Sequence, residues 1–241
     1  MITTPHHHDA WLLDLYPERD RIVLWWITQE GRRLRLTQPF QPVFHVDGLE
    51  TELTADERRR FFRTLEELPG LQAGDVVTRR DFWTDRPLQV QAVRVVNLDR
   101  FQSDVLTLSD RFPMLTYYDC DIALEIFYCY DTGLFPTARC RIAHDDGVLT
   151  ASELIDDVMA TDYELPPLRH VEVNATGRFH GNRPRLQTLE LKHEGRTITW
   201  DTGDTREMLL SFRDELLRID PDVIWTEGGD TTLMRILFQL G

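Results

Sequence analysis

The stretch Asp220-Pro-Asp-Val-Ile-Trp-Thr-Glu-Gly-Gly-Asp230 lies close to the C-terminus and carries the clearest fold signal in the chain. Its proline follows the end of a helical pattern, and the apolar run at 223–225 predicts a buried strand. A Gly-Gly turn with acidic residues at its mouth comes next. Because chemistry in α/β proteins often lies at the C-terminal end of such a strand, Asp230 is a candidate site residue.

The sequence before this stretch has the pattern of one sheet. Residues 169–173, 186–192 and 197–200 each predict a strand. Asp204 or Thr205 can cap the helix that follows, whose apolar residues fall on one face. The order β-β-β-α-β is how a ribonuclease H-like sheet begins, so this half of the chain predicts the start of an α/β domain of that kind.

The first half of the chain predicts an α+β domain in which helices pack on an antiparallel sheet. A turn at 29–31 joins two strand-like runs as a hairpin. Thr54 and Glu57 form a capping-box pattern at the start of one helix, and Asn97 can cap another. The predicted strands are residues 22–28, 33–37, 43–46 and 88–96, and the predicted helices begin after residues 54 and 97.

These patterns divide the chain into three segments. Residues 1–145 are the predicted N-terminal domain, and residues 168–241 are the partial α/β domain. The acidic residues between them, 146–167, predict a linker or insert. This segment is expected to contain one short helix at 151–159 and to end at Pro166-Pro167.

Composition limits the possible functions. The chain has 27 Lys and Arg against 41 Asp and Glu, a net charge of −14, so its surface as a whole does not favour nucleic acid. Contact with DNA would need local patches such as Arg58-Arg59-Arg60 or Arg32-Arg33 with Arg35. The three cysteines lack Cys-x-x-Cys spacing and are expected to be reduced, and His6-His7-His8 is expected to be flexible. Neither a membrane-length apolar run nor a signal peptide is apparent, so we expect a cytoplasmic protein without a membrane partner.

Several motifs, in order along nearly the whole chain, resemble those of family B DNA polymerases. The early motifs resemble that family's N-terminal domain, the middle ones its passage to the exonuclease domain, and the last ones the 3′→5′ exonuclease domain. They are Trp11-Leu-Leu-Asp-Leu-Tyr16, Gln41-Pro-Val-Phe-His45, Asp119-Cys-Asp-Ile122, Gly133-Leu-Phe-Pro136, Thr197-Ile-Thr-Trp200 and Asp220-Pro-Asp-Val223. The resemblance implies the front part of such a polymerase, whose Mg²⁺-dependent core would lie further along.

The first exonuclease motif of that family is Asp-x-Glu, whose two carboxylates project to one side of a strand and hold metal ions. The equivalent strand here can be aligned in two registers. One register places Asn174 and Thr176 at the two positions, and the other places Glu172 and Asn174 there. Neither register supplies two carboxylates.

The second exonuclease motif of the family has an Asn and then a ligating Asp. Gly228 stands at the Asn position and Leu233 at the Asp position. Asp230 is present, but the family pattern does not use its position as a ligand. We therefore expect no intact catalytic or metal site in this chain, and a loss of proofreading.

The resemblance also implies places where DNA could bind. Archaeal relatives carry a template-base pocket that senses uracil, and the matching positions here are Pro42, Val43, Pro87, Val90, Ala123, Leu124 and Phe127. Val43 replaces an aromatic residue and Phe127 an arginine, which departs from the uracil-binding pattern. The other candidate DNA contacts are a basic run and two tyrosines on which bases can stack, namely Arg58, Arg59, Arg60, Tyr117 and Tyr118.

Three functions remain open. The leading interpretation is the N-terminal and exonuclease-like part of a family B-like polymerase, with proofreading lost, which helps to position template and primer DNA for synthesis or repair. The second is a stand-alone, non-catalytic module derived from such a polymerase that binds DNA or a partner protein. The third is a divergent metal-dependent nuclease that uses Glu172, Glu190 and Asp230.

Overall fold

The computed structural model describes residues 6–179, 185–201 and 203–240, and the side chain of Asp230 lies outside the described part. The chain forms two compact units, Met1–Pro166 and Pro167–Gly241. The elements of the first unit are β1 (His6–Glu18), β2 (Arg21–Thr28), β3 (Arg33–Pro39), β4 (Val43–Asp47), α1 (Ala55–Glu67), β5 (Leu71–Arg80), β6 (Pro87–Val95), α2 (Phe101–Arg111), β7 (Thr116–Tyr118), α3 (Leu124–Thr132), β8 (Arg139–Asp145) and β9 (Val148–Leu154). Those of the second are β10 (His170–Arg178), β11 (Arg185–His193), β12 (Arg196–Trp200), α4 (Thr205–Ile219), β13 (Val223–Trp225), a π-helical turn (Gly229–Leu233) and α5 (Met234–Leu240).

Five strands of the first unit close into a barrel in the order β1-β2-β3-β9-β8. The predicted hairpin is confirmed as β2 and β3, whose antiparallel register pairs Trp26 with Leu34. Successive side chains of a strand point to opposite faces, so Trp26 is fully buried while Trp25 is only partly buried. β3 joins β9 through the parallel pair Thr37 and Val148, which closes the ring.

The other strands of the first unit form a separate sheet in the order β5-β6-β4-β7. The expectation of one antiparallel sheet is therefore wrong, because the strands divide between this sheet and the barrel, although the mixed α+β class holds. The sequence pattern does not predict β5 at all. Its residues after Leu71 are mostly exposed because β5 is an edge strand, so they lack the alternation of a strand with one buried face.

Three further expectations for the first unit are wrong. The helix expected at 151–159 is replaced by strand β9, and the expected linker 146–167 thus contributes to the barrel. Antiparallel pairing with β8, which sets Ala151 opposite Ala143, outweighs the local helix preference of this run. The histidines expected to be flexible lie in β1, where His6 pairs with His144 of β8.

Helices α1 and α2 cover one face of the four-stranded sheet. The predicted capping box at the start of α1 is confirmed, since Thr54 Oγ1 accepts a hydrogen bond from the Glu57 amide at 3.3 Å and Glu57 Oε2 accepts one from the Thr54 amide at 2.8 Å. Phe44 of β4 contacts Phe101 of α2, with ring centroids 6.1 Å apart. Because the helices bury these apolar side chains on one face of the sheet, the opposite face is the one left for other contacts.

The second unit has a four-stranded sheet in the order β12-β11-β10-β13. The predicted order β-β-β-α-β is present, and Asp204 caps α4 by accepting a hydrogen bond from the Arg206 amide at 2.8 Å. Val171 and Val173 of β10 are buried in a core that also contains Met208 and Phe212 of α4. Among the described residues, we find no helix with the length and apolar character needed to cross a membrane.

Candidate functional site

Strand β10 places the predicted exonuclease positions on the exposed face of its sheet. Because side chains alternate along a strand, Val171 and Val173 face the core while Glu172, Asn174 and Thr176 project to the other side. The antiparallel register with β11 sets Glu172 opposite Lys192 and Asn174 opposite Glu190. The structure therefore brings together the residues of both possible registers.

Neighbouring side chains stabilise the ionised carboxylate of Glu172. Asn174 Nδ2 donates a hydrogen bond to Glu172 Oε1 at 2.7 Å, and Lys192 Nζ lies 3.2 Å from the same oxygen. The hydrogen bond from Asn174, followed by that from Lys192, holds the pKa of Glu172 below its usual value. Lys192 Nζ also lies 3.3 Å from Glu190 Oε1, so one ammonium group bridges two carboxylates.

This face does not fit the Mg²⁺ that the family resemblance implies. A hard cation needs several oxygen ligands, and its affinity depends on their charge. Here Lys192 occupies the place between Glu172 and Glu190 that a divalent cation would need. Across the described ranges, no group of three or more His, Cys, Asp or Glu side chains is arranged to hold a metal ion.

The loop after β13 carries the positions of the second exonuclease motif. Gly228 adopts a left-handed backbone with φ of 62°, and Leu233 is buried in the core of the unit. A Cβ atom on Gly229 would lie 2.3 Å from Thr226 Cγ2, so this turn needs glycine at that position. Asp230 lies in the π-helical turn, and the candidate role of its side chain falls outside the described part.

The outer face of the first unit's four-stranded sheet is the second candidate site. We define the outer face as the face that carries His45, which shares it with the paired residues Ala92 and Tyr118. His45 is 7% exposed, and its Nδ1 lies 3.2 Å from Asp119 Oδ2. Its Nε2 is buried and has no hydrogen-bond partner among the described residues. Such an atom is unusual in a folded protein and calls for an explanation.

Two adjoining cavities open on the outer face, and His45, Arg79 and Asp119 line both. The first has a volume of about 290 Å³ and is bounded by Phe82 and Trp83 in the β5–β6 turn, with its full lining comprising His45, Arg79, Arg80, Asp81, Phe82, Trp83, Leu88, Val90, Tyr118 and Asp119. The second has a volume of about 480 Å³ and is lined by Gln41, Val43, His45, Arg79, Asp119, Ile122, Phe127, Tyr130 and Asp131. Together they form one groove, which we call the outer groove.

The expected template-base pocket is only partly assembled in the outer groove. Val43 and Phe127 line the larger cavity and Val90 lines the smaller one. Pro42 is buried and Pro87 is exposed at the start of β6, and neither lines the groove. Of the other two matching positions, Ala123 precedes α3 and Leu124 is buried in the core.

The predicted DNA-contacting arginines lie on α1 and are engaged within the protein. Arg58 forms an ion pair with Glu50, and Arg59 forms one with Asp56. The guanidinium carbon of Arg60 lies 5.3 Å from the ring centroid of Phe112. These contacts place the three arginines in local surface interactions.

The two predicted stacking tyrosines differ in their surroundings. Tyr117 is partly buried and its hydroxyl donates to the carbonyl oxygens of Leu108 and Phe112, each at 3.3 Å, while burial raises its pKa. Tyr118 is 36% exposed and lines the smaller cavity of the outer groove. Of these two tyrosines, only Tyr118 therefore lines the outer groove.

Sequence reasoning missed the most exposed aromatic residues of the first unit. Phe82 and Trp83 are 86% and 88% exposed at the tip of the β5–β6 hairpin, with ring centroids 5.1 Å apart. The signal that could have found them is the pair Phe-Trp inside a polar turn, between Arg79-Arg80 and Arg86. Without the prediction of β5, that turn could not be recognised as a hairpin tip.

The architecture described here, a barrel and a helix-covered sheet followed by a second small sheet unit, defines the chain as a mixed α+β protein. It is similar to the solved structure of the family B DNA polymerase from the hyperthermophilic archaeon Pyrobaculum calidifontis, with a TM-score of 0.71 and 22% sequence identity. The similarity covers 92% of this chain and 30% of that polymerase, so the chain spans less than a third of its length. No protein-family model and no curated protein matches the sequence. The chain therefore shares its fold with part of a family B DNA polymerase.

Proposed function

We propose that this chain is the N-terminal and exonuclease-like part of a family B-like DNA polymerase, with proofreading lost, and that it helps to position template and primer DNA. The fold similarity over 92% of the chain supports the polymerase relationship. The synthesis itself, its Mg²⁺ requirement and its use in replication or repair would belong to a polymerase core.

The observation that carries the loss of proofreading is the pairing of Glu172 with Lys192. Exonuclease chemistry of this family needs metal ions that activate water and stabilise the leaving oxygen. An ammonium group 3.2 Å from the carboxylate opposes the binding of a second cation at the same oxygen. The buried Leu233 at the position of a second ligand supports the same conclusion.

The test is a nuclease and binding assay on the purified chain. Labelled single-stranded DNA and a primer–template junction are incubated with Mg²⁺ or Mn²⁺, and we expect binding of the junction without shortening of either strand. Metal-dependent 3′→5′ degradation that Asp230→Ala abolishes and Glu227→Ala preserves would overturn the proposal.

A second candidate function, a stand-alone protein-binding module, is favoured by the net charge of −14 and by the internal pairing of Arg58 and Arg59. An acidic surface repels phosphates over long range and is better suited to a basic protein. The gene that encodes the chain distinguishes the two candidate functions. Continuation of the reading frame into a palm domain with paired aspartates supports the polymerase function and contradicts the stand-alone module.

The third candidate, a divergent nuclease that uses Glu172, Glu190 and Asp230, makes a separate prediction. It requires Mn²⁺ to bind the wild-type chain with an affinity that Glu172→Gln lowers. An isothermal titration without heat of Mn²⁺ binding removes this candidate.

A further inference from the structure

We propose that this chain forms a symmetric dimer in which residues 79–86 of each copy dock against residues 155–165 of the other. Residues 79–86, at the tip of the β5–β6 hairpin, are called the aromatic turn, and residues 155–165, which follow β9, are called the acidic loop. Self-association of this kind goes beyond the proposed function and does not depend on it. Its basis is the ordered backbone, the exposed apolar side chains and the opposite charges of these two segments of the first unit.

The aromatic turn presents two large rings on an ordered backbone. Phe82 and Trp83 are 86% and 88% exposed, with ring centroids 5.1 Å apart. The Asp81 carboxylate holds the turn by accepting hydrogen bonds from the Trp83 amide at 3.1 Å and the Thr84 amide at 2.6 Å. The Asp81 amide donates to the Arg86 carbonyl oxygen at 2.9 Å. Because these bonds already fix the turn, docking would lose little conformational entropy there.

The acidic loop exposes a pair of aliphatic side chains in the same way. Val158 and Met159 are 62% and 82% exposed. Asp157 Oδ1 accepts a hydrogen bond from the Met159 amide at 2.9 Å, and the Asp157 carbonyl oxygen accepts one from the Ala160 amide at 2.9 Å. Turns ordinarily carry Gly, Pro, Asn, Asp or Ser. Apolar pairs at the tips of two aspartate-stabilised turns therefore indicate surfaces that another molecule covers.

Both ends of the acidic loop are tied to Arg139 of β8. At one end the Arg139 carbonyl oxygen accepts a hydrogen bond from the Ile155 amide at 2.9 Å, and the Arg139 amide donates to Asp156 Oδ2 at 2.7 Å. At the other end Arg139 Nη1 donates to Glu164 Oε2 at 2.6 Å, and Trp11 Nε1 donates to the Glu164 carbonyl oxygen at 2.9 Å. The segment is thus closed at its base like an Ω-loop, a type of loop that is frequently functional.

The aromatic turn and the acidic loop carry opposite charges. The acidic loop contains four acidic residues and no basic one, whereas the aromatic turn contains three arginines and two aspartates. Arg80 pairs with Asp85 at 3.0 Å, but none of the described residues forms an ion pair with Arg79 or Arg86. These two guanidinium groups are therefore available to carboxylates of a second copy. Aromatic side chains together with arginines are the composition that dominates the energy of protein interfaces.

Two-fold symmetry allows both contacts to form in one dimer. When the aromatic turn of one copy meets the acidic loop of its partner, the symmetry axis generates the reciprocal contact, so assembly stops at two chains. The net charge of −14 repels the copies at long range. The Debye length of about 8 Å at physiological ionic strength limits this repulsion, while pairs in contact are screened less. A small interface that works against this repulsion predicts a dissociation constant in the micromolar range.

The test is sedimentation velocity of the purified chain over a micromolar concentration series, in which we expect a shift from monomer to dimer. Trp83→Ala and Met159→Ser should each weaken dimerisation at least about tenfold, because each removes an interface anchor twice in a symmetric dimer. Trp225→Ala in the second unit removes another exposed tryptophan, 63% exposed, and should leave the dissociation constant unchanged. The three side chains are exposed in the single chain, so thermal unfolding checks that every variant is folded.

A mixture of the two weakened variants tests the reciprocal geometry. In a dimer of Trp83→Ala with Met159→Ser, one contact keeps both its tryptophan and its methionine, and the other contact lacks both. Because the two side chains would touch each other, removal of both from one contact costs little more than removal of one. The mixture should therefore dimerise more strongly than either variant alone.

Four results would overturn the proposed dimer. They are a chain that stays monomeric throughout the series, an assembly that grows beyond two copies, a dimer that either Trp83→Ala or Met159→Ser leaves unweakened, and a mixture that dimerises no better than its components. None of these results bears on the loss of proofreading, which the nuclease assay decides separately.

Discussion

Lys192 Nζ lies 3.2 Å from Glu172 Oε1 on the exposed face of the second unit's sheet. Lys192 is the only lysine in the sequence, among 27 basic residues. Glu190 lies on the other side of the same ammonium group at 3.3 Å. One ammonium group thus bridges the two carboxylates on this face.

Replacement of Lys192 by Met should raise the pKa of Glu172. The hydrogen bond from Asn174 and the contact with Lys192 both lower that pKa, so Asn174→Ala should raise it as well, and Lys192→Arg should leave it low. Carboxyl chemical shifts followed by NMR through the acid range measure the change. An unchanged Glu172 pKa in both Lys192→Met and Asn174→Ala contradicts this account.

The pair of Glu172 and Lys192 also determines whether stability rises or falls with pH. Because the pKa of Glu172 is lowered in the folded state, its stabilising contribution is present above the ordinary pKa and is lost as the pH falls through the lowered value. Lys192→Met should therefore lose less stability on acidification than the wild-type chain. Denaturant unfolding at neutral and acidic pH compares the two proteins, and equal losses would argue against the pairing.

The histidines of the barrel should destabilise the first unit at acidic pH. His144 stacks between His6 and His8, with ring centroids 5.4 Å from each. Burial first, and then the neighbouring histidines, lower the pKa of His144, and burial and Arg32 lower that of His8. The other charged groups near the stack, Glu30 and Asp145, act in the opposite direction.

A folded-state pKa below 6.5 means that the neutral rings stabilise the fold above that pH, and that this contribution is lost as the pH falls through the lowered pKa values. The melting temperature should fall between about pH 7 and pH 5, the range in which imidazoles titrate. His144→Gln should flatten this dependence, whereas His7→Ala, which changes an exposed ring of the same strand, should retain it. An identical pH profile for His144→Gln counts against the mechanism.

The capping box of α1 offers a stability test in the first unit. Thr54→Ala removes the acceptor for the Glu57 amide and should lower the free energy of unfolding by about 0.5–2 kcal/mol, the range for such caps. Urea unfolding followed by circular dichroism measures the loss. Thr51→Ala, an exposed turn residue nearby, is the matched control and should be nearly neutral.

The sequence predicts local structure well where a short pattern determines it. The capping box at Thr54 and the cap at Asp204 are confirmed, because a side chain and an amide within three residues decide them. The failures at β5 and β9 have a different cause. Pairing with strands distant in sequence or a position at a sheet edge decides those segments, and neither leaves a local pattern.

In the candidate sites, too, the sequence predicts local features but not contacts between distant residues. The alternation of β10 predicts that Glu172 and Asn174 share a face, but the sequence does not show that Lys192, 20 residues away, lies opposite Glu172. In the outer groove, Trp83 and Tyr130 are 47 residues apart, and only the fold places them beside adjoining cavities. Long-range register is the information that a single sequence lacks.

Asp104 gives the sharpest stability prediction, because it is a carboxylate that is only 1% exposed. Its Oδ2 accepts a hydrogen bond from the Gly70 amide at 2.9 Å, and its Oδ1 lies 3.0 Å from Arg100 Nη2. Asp104→Ala leaves the buried amide without its acceptor and should reduce the free energy of unfolding by about 1.5–3 kcal/mol, the range for hydrogen bonds to charged groups. Asp110→Ala changes an exposed carboxylate of the same helix and should cost little, so equal urea midpoints for the two variants would contradict the assigned role of Asp104.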